Sequence, residues 1–400
     1  MLRREFGQKI YRRGRLLALS GAGGVLAGLS ATLFLYGLKW ATDYREAHPM
    51  VLFGLPLAGL LIGWAYYLYG KDITAGNNLI IDEIHQPSKV ISFRMAPFIF
   101  VGTVATHFFG GSAGREGTAV QMGASLSDQL THFFKVTPQE RKVLLAAGAG
   151  AGFGAAIGAP FAGALFGMEM NYIGRFKVFA LIESLAASFF GYWTTLLLSA
   201  PHTDYAPFSG SEMSLKVFLY VALAGVLFGI LARVFVKSTH LAEGLFRKVK
   251  FPPFKPFLGG LLLLALYALE GSYRYDGLGL DVIQRSLLSP SSFLDPLYKA
   301  FFTVLTVSTG FKGGEFIPMV FMGATLGSAL SLWIPASLSL LSSVGFASVF
   351  GAASKTPLAC TVMAMEIFGW RLGPFALVSC FVAYFVSGSK GIYSSQKSKP

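Results

Sequence analysis

Met122-Gly123-Ala124-Ser125-Leu126 returns as Met322-Gly323-Ala324-Thr325-Leu326, 200 residues further on, and the architecture follows from that recurrence. Downstream, Ala155-Ala156, Pro160, Ala162 and Met168-Glu169 return as Ala352-Ala353, Pro357, Ala359 and Met365-Glu366, now offset by 197. The change of offset predicts a small indel in a loop. Self-similarity at this scale marks two copies of one structural unit. Each copy opens on a Gly-rich turn: Gly110-Gly111-Ser112-Ala113-Gly114-Arg115-Glu116-Gly117-Thr118 in the first, Thr309-Gly310-Phe311-Lys312-Gly313-Gly314-Glu315-Phe316-Ile317-Pro318 in the second.

Composition supplies the solvent. With 54% hydrophobic and 13% charged residues and a mean hydropathy of +0.58, the chain is too apolar for a soluble domain and reads as a polytopic membrane protein. Four hundred residues suffice for roughly ten or more spans of about 20 residues each. The 47 glycines and 18 prolines fit close helix contacts and broken helices. The formal charge of +13 gathers at the ends of apolar runs, which the positive-inside rule explains without a nucleic-acid partner.

Arg3, Arg4, Lys9, Arg12, Arg13 and Arg15 precede an apolar run from Leu16, which places the N-terminus in the cytoplasm. No small-residue cleavage site follows, so the run reads as a first membrane helix ending near Tyr44. A second run, Val51 to Tyr69, returns the chain inside. The piece Leu79 to Ile84 is too short to span and reads as a re-entrant half-helix. Apolar runs at Met95 to Phe109, Thr118 to Phe134, Lys142 to Ile157 and Val178 to Leu198 follow, with Pro160 opening a short helix that reaches Glu169. The loop Ala200 to Met213 holds no Lys or Arg, whereas Lys237, Arg247, Lys248, Lys250 and Lys255 follow the next span, Leu215 to Val236. The second half thus starts outside where the first started inside. That is an inverted-topology repeat, whose substrate site is expected at the midplane where discontinuous helices meet. Cys360 and Cys380 sit in apolar runs and read as buried thiols, with no metal site and no cofactor.

A carboxylate at membrane depth is expensive and functional by default, which makes Glu116 the first candidate. It stands where a helix start directs free N–H groups and a partial positive charge at an anion. The N–H groups of Phe316 and Ile317 point likewise from the second turn.

With these turns in place the chain resembles the CLC anion channels and transporters. That family's anion-coordinating turns are of Gly-Ser-Gly-Ile-Pro, Gly-Arg-Glu-Gly-Pro and Gly-Gly-x-Phe-x-Pro type, with a late tyrosine. Here they look like Gly76-Asn77-Asn78-Leu79-Ile80, Gly114-Arg115-Glu116-Gly117-Thr118 and Gly313-Gly314-Glu315-Phe316-Ile317-Pro318, with Tyr393 in Gly391-Ile392-Tyr393-Ser394. The resemblance covers nearly the whole chain and implies an all-α, CLC-type inverted repeat with broken and re-entrant helices. It implies a homodimer with one pore per subunit in the lipid of a bacterial inner membrane, with fluoride or chloride and protons as transported ions. Asn77 replaces the serine of chloride-type members, Thr118 the proline of the second turn, and Glu315 an apolar residue of the third. These substitutions are similar to the bacterial fluoride-exporting branch, which implies a fluoride/proton antiporter; the alternative is a chloride channel or chloride/proton antiporter. Losing the serine hydroxyl changes the ligand set and so the ion preference.

The mechanism implied gives Glu116 two states. Ionised, it occupies the anion site; protonated, it swings out and admits the anion. Asn77 supplies an amide and Tyr393 a hydroxyl. The inner glutamate of proton-coupled chloride members is replaced by Met170, and neighbouring Glu169 is displaced by about 100° of helix rotation, leaving Glu169 or water as the proton path. The plainer reading of Glu169 and Glu366, a shared structural role at equivalent helix ends, is favoured. Glu315 reads alternatively as a partner of Lys312 or a turn cap, His107 reads as a packed helix residue, and a few of the 37 phenylalanines are expected to turn positive ring edges to the anion path.

Enzyme readings fail on context. Gly313-Gly314-Glu315-Phe316 comes close to a diguanylate cyclase signature but lies in an apolar region. Gly110 to Gly114 matches a Gly-x-Ser-x-Gly elbow that needs a preceding strand, where this chain has a membrane run. The chain is thus expected to comprise a cytoplasmic basic N-terminus (1–14), a first transmembrane half (15–199), an inverted second half (214–389) and a cytoplasmic tail (390–400) carrying the pore tyrosine.

Overall fold

In the computed structural model each half is a run of eight α-helices. The structure describes residues 2–398, with side chains from residue 11 onward; Arg3, Arg4, Lys9 and Lys399 therefore lie outside the side chains described. The first half comprises α1 (Leu2–Ala47), α2 (Leu55–Tyr69), α3 (Asn77–His85), α4 (Met95–Phe108), α5 (Glu116–Phe133), α6 (Pro138–Ile157), α7 (Pro160–Glu169) and α8 (Leu181–Leu197). The second comprises α9 (Leu215–Phe246), α10 (Phe254–Glu270), α11 (Leu280–Ser286), α12 (Asp295–Ser308), α13 (Phe316–Leu330), α14 (Leu338–Ser354), α15 (Pro357–Phe368) and α16 (Gly373–Val386).

The pairings repeat as the numbering does. α1 packs on α8 as α9 does on α16, α5 on α6 as α13 on α14, and α4 on α5 as α12 on α13. The contacts between helices of opposite halves join equivalents, extensively α2 with α10 and α7 with α15 and narrowly α5 with α13. A two-fold axis between the halves requires this, since only elements beside the axis meet their own counterparts. The repeated Met-Gly-Ala stretches owe their glycine to this packing: a methyl on Gly123 would collide with the Gly148 carbonyl, and one on Gly323 with the Gly345 carbonyl. Backbones in contact give TM helices dispersion energy that lipid cannot supply.

Among the described residues, three helical segments, Tyr11–Ala47, Pro49–Tyr69 and Leu215–Phe246, are long and apolar enough to cross a membrane. The other helices are shorter or less apolar, in keeping with the broken helices expected from the glycine and proline content. Short interruptions separate several of them, as at Gly158–Ala159 between α6 and α7, and such backbone is tolerated at membrane depth because protein encloses it. Large apolar side chains line the outside, among them Leu61, Val101 and Leu219, each about 60% exposed. They suit contact with acyl chains, as expected of an integral membrane protein.

The indel lies in a helix, not in a loop. α6 and α14 start on equivalent N-caps, Thr137 and Ser337, and end on equivalent left-handed C-caps, Gly158 and Lys355, yet have 20 and 17 residues. Three residues rotate a helix by about 300°, so the faces of α6 and α14 are offset by about 60° over their shared length. Thr137 also makes a capping box with Glu140, and Pro138 at the first helical position forgoes a donor that would be orphaned anyway.

The halves differ in how they fasten the same place. In the first, Asp128 accepts from the Ile91 N–H (2.8 Å) and pairs with Arg141 (2.7 Å), which also binds Glu83 (2.7 Å). In the second, the equivalent Ser328 accepts from the equivalent Ser291 N–H (3.0 Å), with no ion involved. Removing one member of such a buried ionic triad costs about 3–5 kcal/mol, because the others remain charged and unpaired.

Candidate functional site

The two Gly-rich turns bind each other through main chain. The Gly114 N–H donates to the Gly314 carbonyl (2.5 Å) and the Gly314 N–H to the Gly114 carbonyl (2.8 Å), a single antiparallel bridge. A second symmetric pair flanks it. The Ser112 N–H donates to the Thr306 hydroxyl and the Lys312 N–H to the Thr106 hydroxyl, both at 3.2 Å. All four partners stand 200 residues from their counterparts, so the bridge lies on the axis between the halves.

Glycine is required here by proximity. A Cβ on Gly314 would sit 2.8 Å from the Gly117 nitrogen. One on Gly117 would sit 3.2 Å from Gly314 Cα and 3.3 Å from Asn77 Nδ2. One on Gly114 would sit 3.0 Å from the Ile317 nitrogen and 3.1 Å from Pro318 Cδ. The starts of α3, α5 and α13 therefore converge within one side chain's reach. Helix starts leave their first N–H groups without intrahelical partners, so three such ends concentrate donors and positive potential at one point.

Glu116, the first residue of α5, is fully buried. Its carboxylate accepts from the Arg115 backbone N–H and from Arg115 Nε, both at 3.2 Å. Arg115 also donates through Nη2 to the Thr203 hydroxyl. It lines a cavity of about 430 Å³ with Lys39, Asp43, Thr203 and Asp281. Glu116 thus stands between that cavity and the converging helix starts. Thr118, where the family pattern has proline, bonds Thr103 of α4 through their hydroxyls at 2.8 Å. Asn77 Oδ1 is buried with no partner of its own.

The tail folds back into the same region. Tyr393 is 7% exposed, and its neighbours hold it there. Ile392 N–H donates to the Ala353 carbonyl, Ser395 N–H to Asn78 Oδ1, and the Gln396 amide to the carbonyls of Met170 and Ser354. Residues far apart in sequence, 77–78, 114–118, 313–318 and 391–396, are thereby brought to one place.

Other candidates fall elsewhere. Glu169 caps the opposite half: its oxygens accept from the N–H groups of Leu358 (3.1 Å) and Ala359 (2.8 Å) at the start of α15. Glu366 returns the contact at the start of α7, accepting from Phe161 (2.9 Å) and Ala162 (2.7 Å). Glu315 is the N-cap of α13 yet makes no side-chain cap bond. Nor does it pair with Lys312, whose Nζ lies 3.8 Å from the centroid of the Tyr66 ring. Ser112 bonds the Thr303 hydroxyl and is preceded by α4, so the strand of a hydrolase elbow is not there. His107 is buried within α4. Among the described residues, no group of three His, Cys, Asp or Glu side chains is placed to hold a metal.

Sequence reasoning missed the surroundings of Phe316. Its ring stands nearly perpendicular to those of Phe153 (5.3 Å, 83°) and Phe350 (4.6 Å, 79°), and Phe153 stacks on Phe166 at 4.0 Å. Nothing marked these three among the chain's phenylalanines, although Phe153 and Phe350 occupy equivalent helices.

A family model described as voltage gated chloride channel matches residues 58–388. The chain is 44% identical over 388 residues to a chloride/fluoride channel protein of Pseudomonas syringae pv. tomato, covering 95% of this chain and 86% of that one. It is 27% identical to the H(+)/Cl(-) exchange transporter ClcA of Yersinia pestis, with the same coverage. A crystal structure of a CLC-type fluoride/proton antiporter superposes with a TM-score of 0.94 at 33% identity, covering 97% of this chain and 99% of that one.

Proposed function

We propose that this chain, which belongs to the voltage gated chloride channel (CLC) family, is a fluoride/proton antiporter that exports fluoride. The observation that carries the reading is the Gly114–Gly314 bridge, which sets Glu116 against the starts of α3 and α13. An ionised carboxylate and a small anion compete for the same donors. Ionised, Glu116 takes the anion's place; protonated, it loses that attraction, leaves, and carries its proton with it. Arg115 gives the carboxylate a second resting place beside the cavity at Thr203.

The anion then rests on the N–H groups of Phe316 and Ile317, with the Asn77 amide and the Tyr393 hydroxyl completing its shell. The donor of that amide, Asn77 Nδ2, lies at the start of α5, 3.3 Å from where a Cβ on Gly117 would stand. Perpendicular rings around Phe316 offer positive edges to the ion. Gly114, Arg115, Gly117, Gly313, Gly314, Glu315 and Pro318 shape the turns. The proton leaves by way of water rather than Glu169, whose two oxygens are both engaged at the start of α15. The working unit is a homodimer in the bacterial inner membrane with both termini in the cytoplasm.

The test is efflux from proteoliposomes, fluoride against chloride under matched gradients, with internal pH followed. Fluoride well above chloride, with uphill proton movement lost in Glu116→Gln, supports the reading; chloride flux equal to or above fluoride sinks it. Fluoride flux without proton coupling supports a channel instead, a reading favoured by Met170 and by the channel name of the Pseudomonas relative.

A further inference from the structure

Beside the contact of α2 with α10, the ends of α2 and α9, the start of α10 and the turn after α12 enclose a cavity of about 590 Å³. Four cations line it, Lys71, Arg247, Lys255 and Lys312, against one carboxylate, Glu243. None of these five forms an ion pair with a described residue. Tyr66 also lines a neighbouring groove of about 390 Å³ between α2 and α4, walled by Leu61, Ile62, Phe98, Val101 and Ala105. The groove opens to the bilayer side, where Leu61 and Val101 are both 62% exposed.

Lys312 is built in beside Tyr66. Its stem fits against Gly102, where a Cβ would lie 2.8 Å from Lys312 Cγ, and its ammonium rests on the Tyr66 ring. An aliphatic stem on one helix and a charge held over an aromatic face fix the cation's position without neutralising it. Unneutralised positive charge between membrane helices attracts an anionic headgroup. A soluble anion would fill the basic cavity and leave the carbon-walled groove to chance; a molecule with an anionic head and an acyl chain fills both.

We propose that the basic cavity and the groove that shares Tyr66 with it form one site for an anionic glycerophospholipid, phosphate among Lys71, Arg247 and Lys255, one acyl chain between α2 and α4. Ser308, Thr309 and Gly310 line the cavity's inner wall, so the headgroup abuts the turn that leads to Gly313-Gly314.

Native mass spectrometry of the full chain, purified in detergent and given an equimolar mixture of dimyristoyl phosphatidylglycerol and phosphatidylcholine, reads the site directly. Wild type is expected to retain phosphatidylglycerol at least tenfold over phosphatidylcholine. Lys71→Gln/Arg247→Gln/Lys255→Gln is expected to lose that preference, and Val101→Phe/Ala105→Phe to lower retention at least fivefold at an unchanged oligomeric state. Lys71 is exposed, so Lys71→Gln alone, expected to weaken retention two- to threefold, serves should the triple variant misfold. Equal retention of the two lipids by wild type overturns the proposal, as does retention indifferent to the charge substitutions. Retention unaffected by filling the groove, with inorganic phosphate displacing the lipid, means a soluble-anion site. A change of oligomeric state in the groove variant means the face seats a second copy. Either of these also overturns the proposal.

Discussion

Glu169 and Glu366 each accept two backbone N–H bonds from a helix start in the opposite half, and removing them separates a structural role from a proton relay. A charge-assisted hydrogen bond contributes about 1.5–3 kcal/mol. Glutamine keeps one acceptor and turns an N–H₂ toward the second donor, so Glu169→Gln forfeits one bond and costs about 1.5–3 kcal/mol. Alanine forfeits both. Part of that loss returns as relief from burying the carboxylate, which leaves Glu169→Ala costing about 3–5 kcal/mol. Glu366 is less buried than Glu169, which is 4% exposed, so water substitutes there and Glu366→Ala costs about 1–2 kcal/mol. Thermal unfolding in detergent, followed by loss of the main elution peak, gives the order; proteoliposomes give the ratio of protons to fluoride. The expected result is a lower midpoint for Glu169→Ala than for Glu366→Ala, with the ratio unchanged in Glu169→Gln and Glu366→Gln. A Glu169→Gln protein of wild-type stability that moves fluoride without protons would refute the capping argument.

Three further outcomes are expected. Gly314→Ala places a methyl 2.8 Å from the Gly117 nitrogen and should lower fluoride flux at least tenfold by parting the turns, as read in the same vesicles; flux within twofold of wild type would mean that the bridge does not set the site. Thr103→Val should cost about 1–3 kcal/mol by stranding the Thr118 hydroxyl, and Thr103→Val/Thr118→Val should cost less than the two single changes summed, because removing both partners leaves nothing unpaired. Asp128→Ser reproduces what stands at the equivalent position of the second half, yet should destabilise by about 3–5 kcal/mol because Arg141 stays buried beside a hydroxyl; adding Arg141→Leu, after the equivalent Leu341, should recover part of the midpoint.

How much of this was legible depended on the range of each signal. The repeat was legible because near-identical stretches recurred 200 and then 197 residues apart; its inversion was expected from the distribution of positive charge. The burial of Glu116 at a helix start was legible because glycines and apolar runs on either side leave its carboxylate no route to water. The indel was misplaced: capping residues, Thr137 and Ser337 with Gly158 and Lys355, define helix length, and a left-handed lysine gives no local sign of itself. The cross-half caps at Glu169 and Glu366 were hinted at by their equivalence, but their partners became visible only once α7 and α15 packed together. The rings around Phe316 left no trace, since apolar residues in an apolar chain carry no periodic contrast. The cations around Tyr66 were counted as topology signals alone, because their meeting with Lys312 is tertiary.

The bridge between Gly114 and Gly314 is made of amide and carbonyl groups, which every residue but proline supplies. Its geometry is consequently insulated from the side chains around it, so long as those two positions stay small enough to touch. On the proposed function, Asn77, Thr118, Glu315 and Tyr393 are the side chains that would meet the ion on that frame. If they do, a lineage can retune which ion is held one side chain at a time, without each trial also having to rebuild the main-chain bridge.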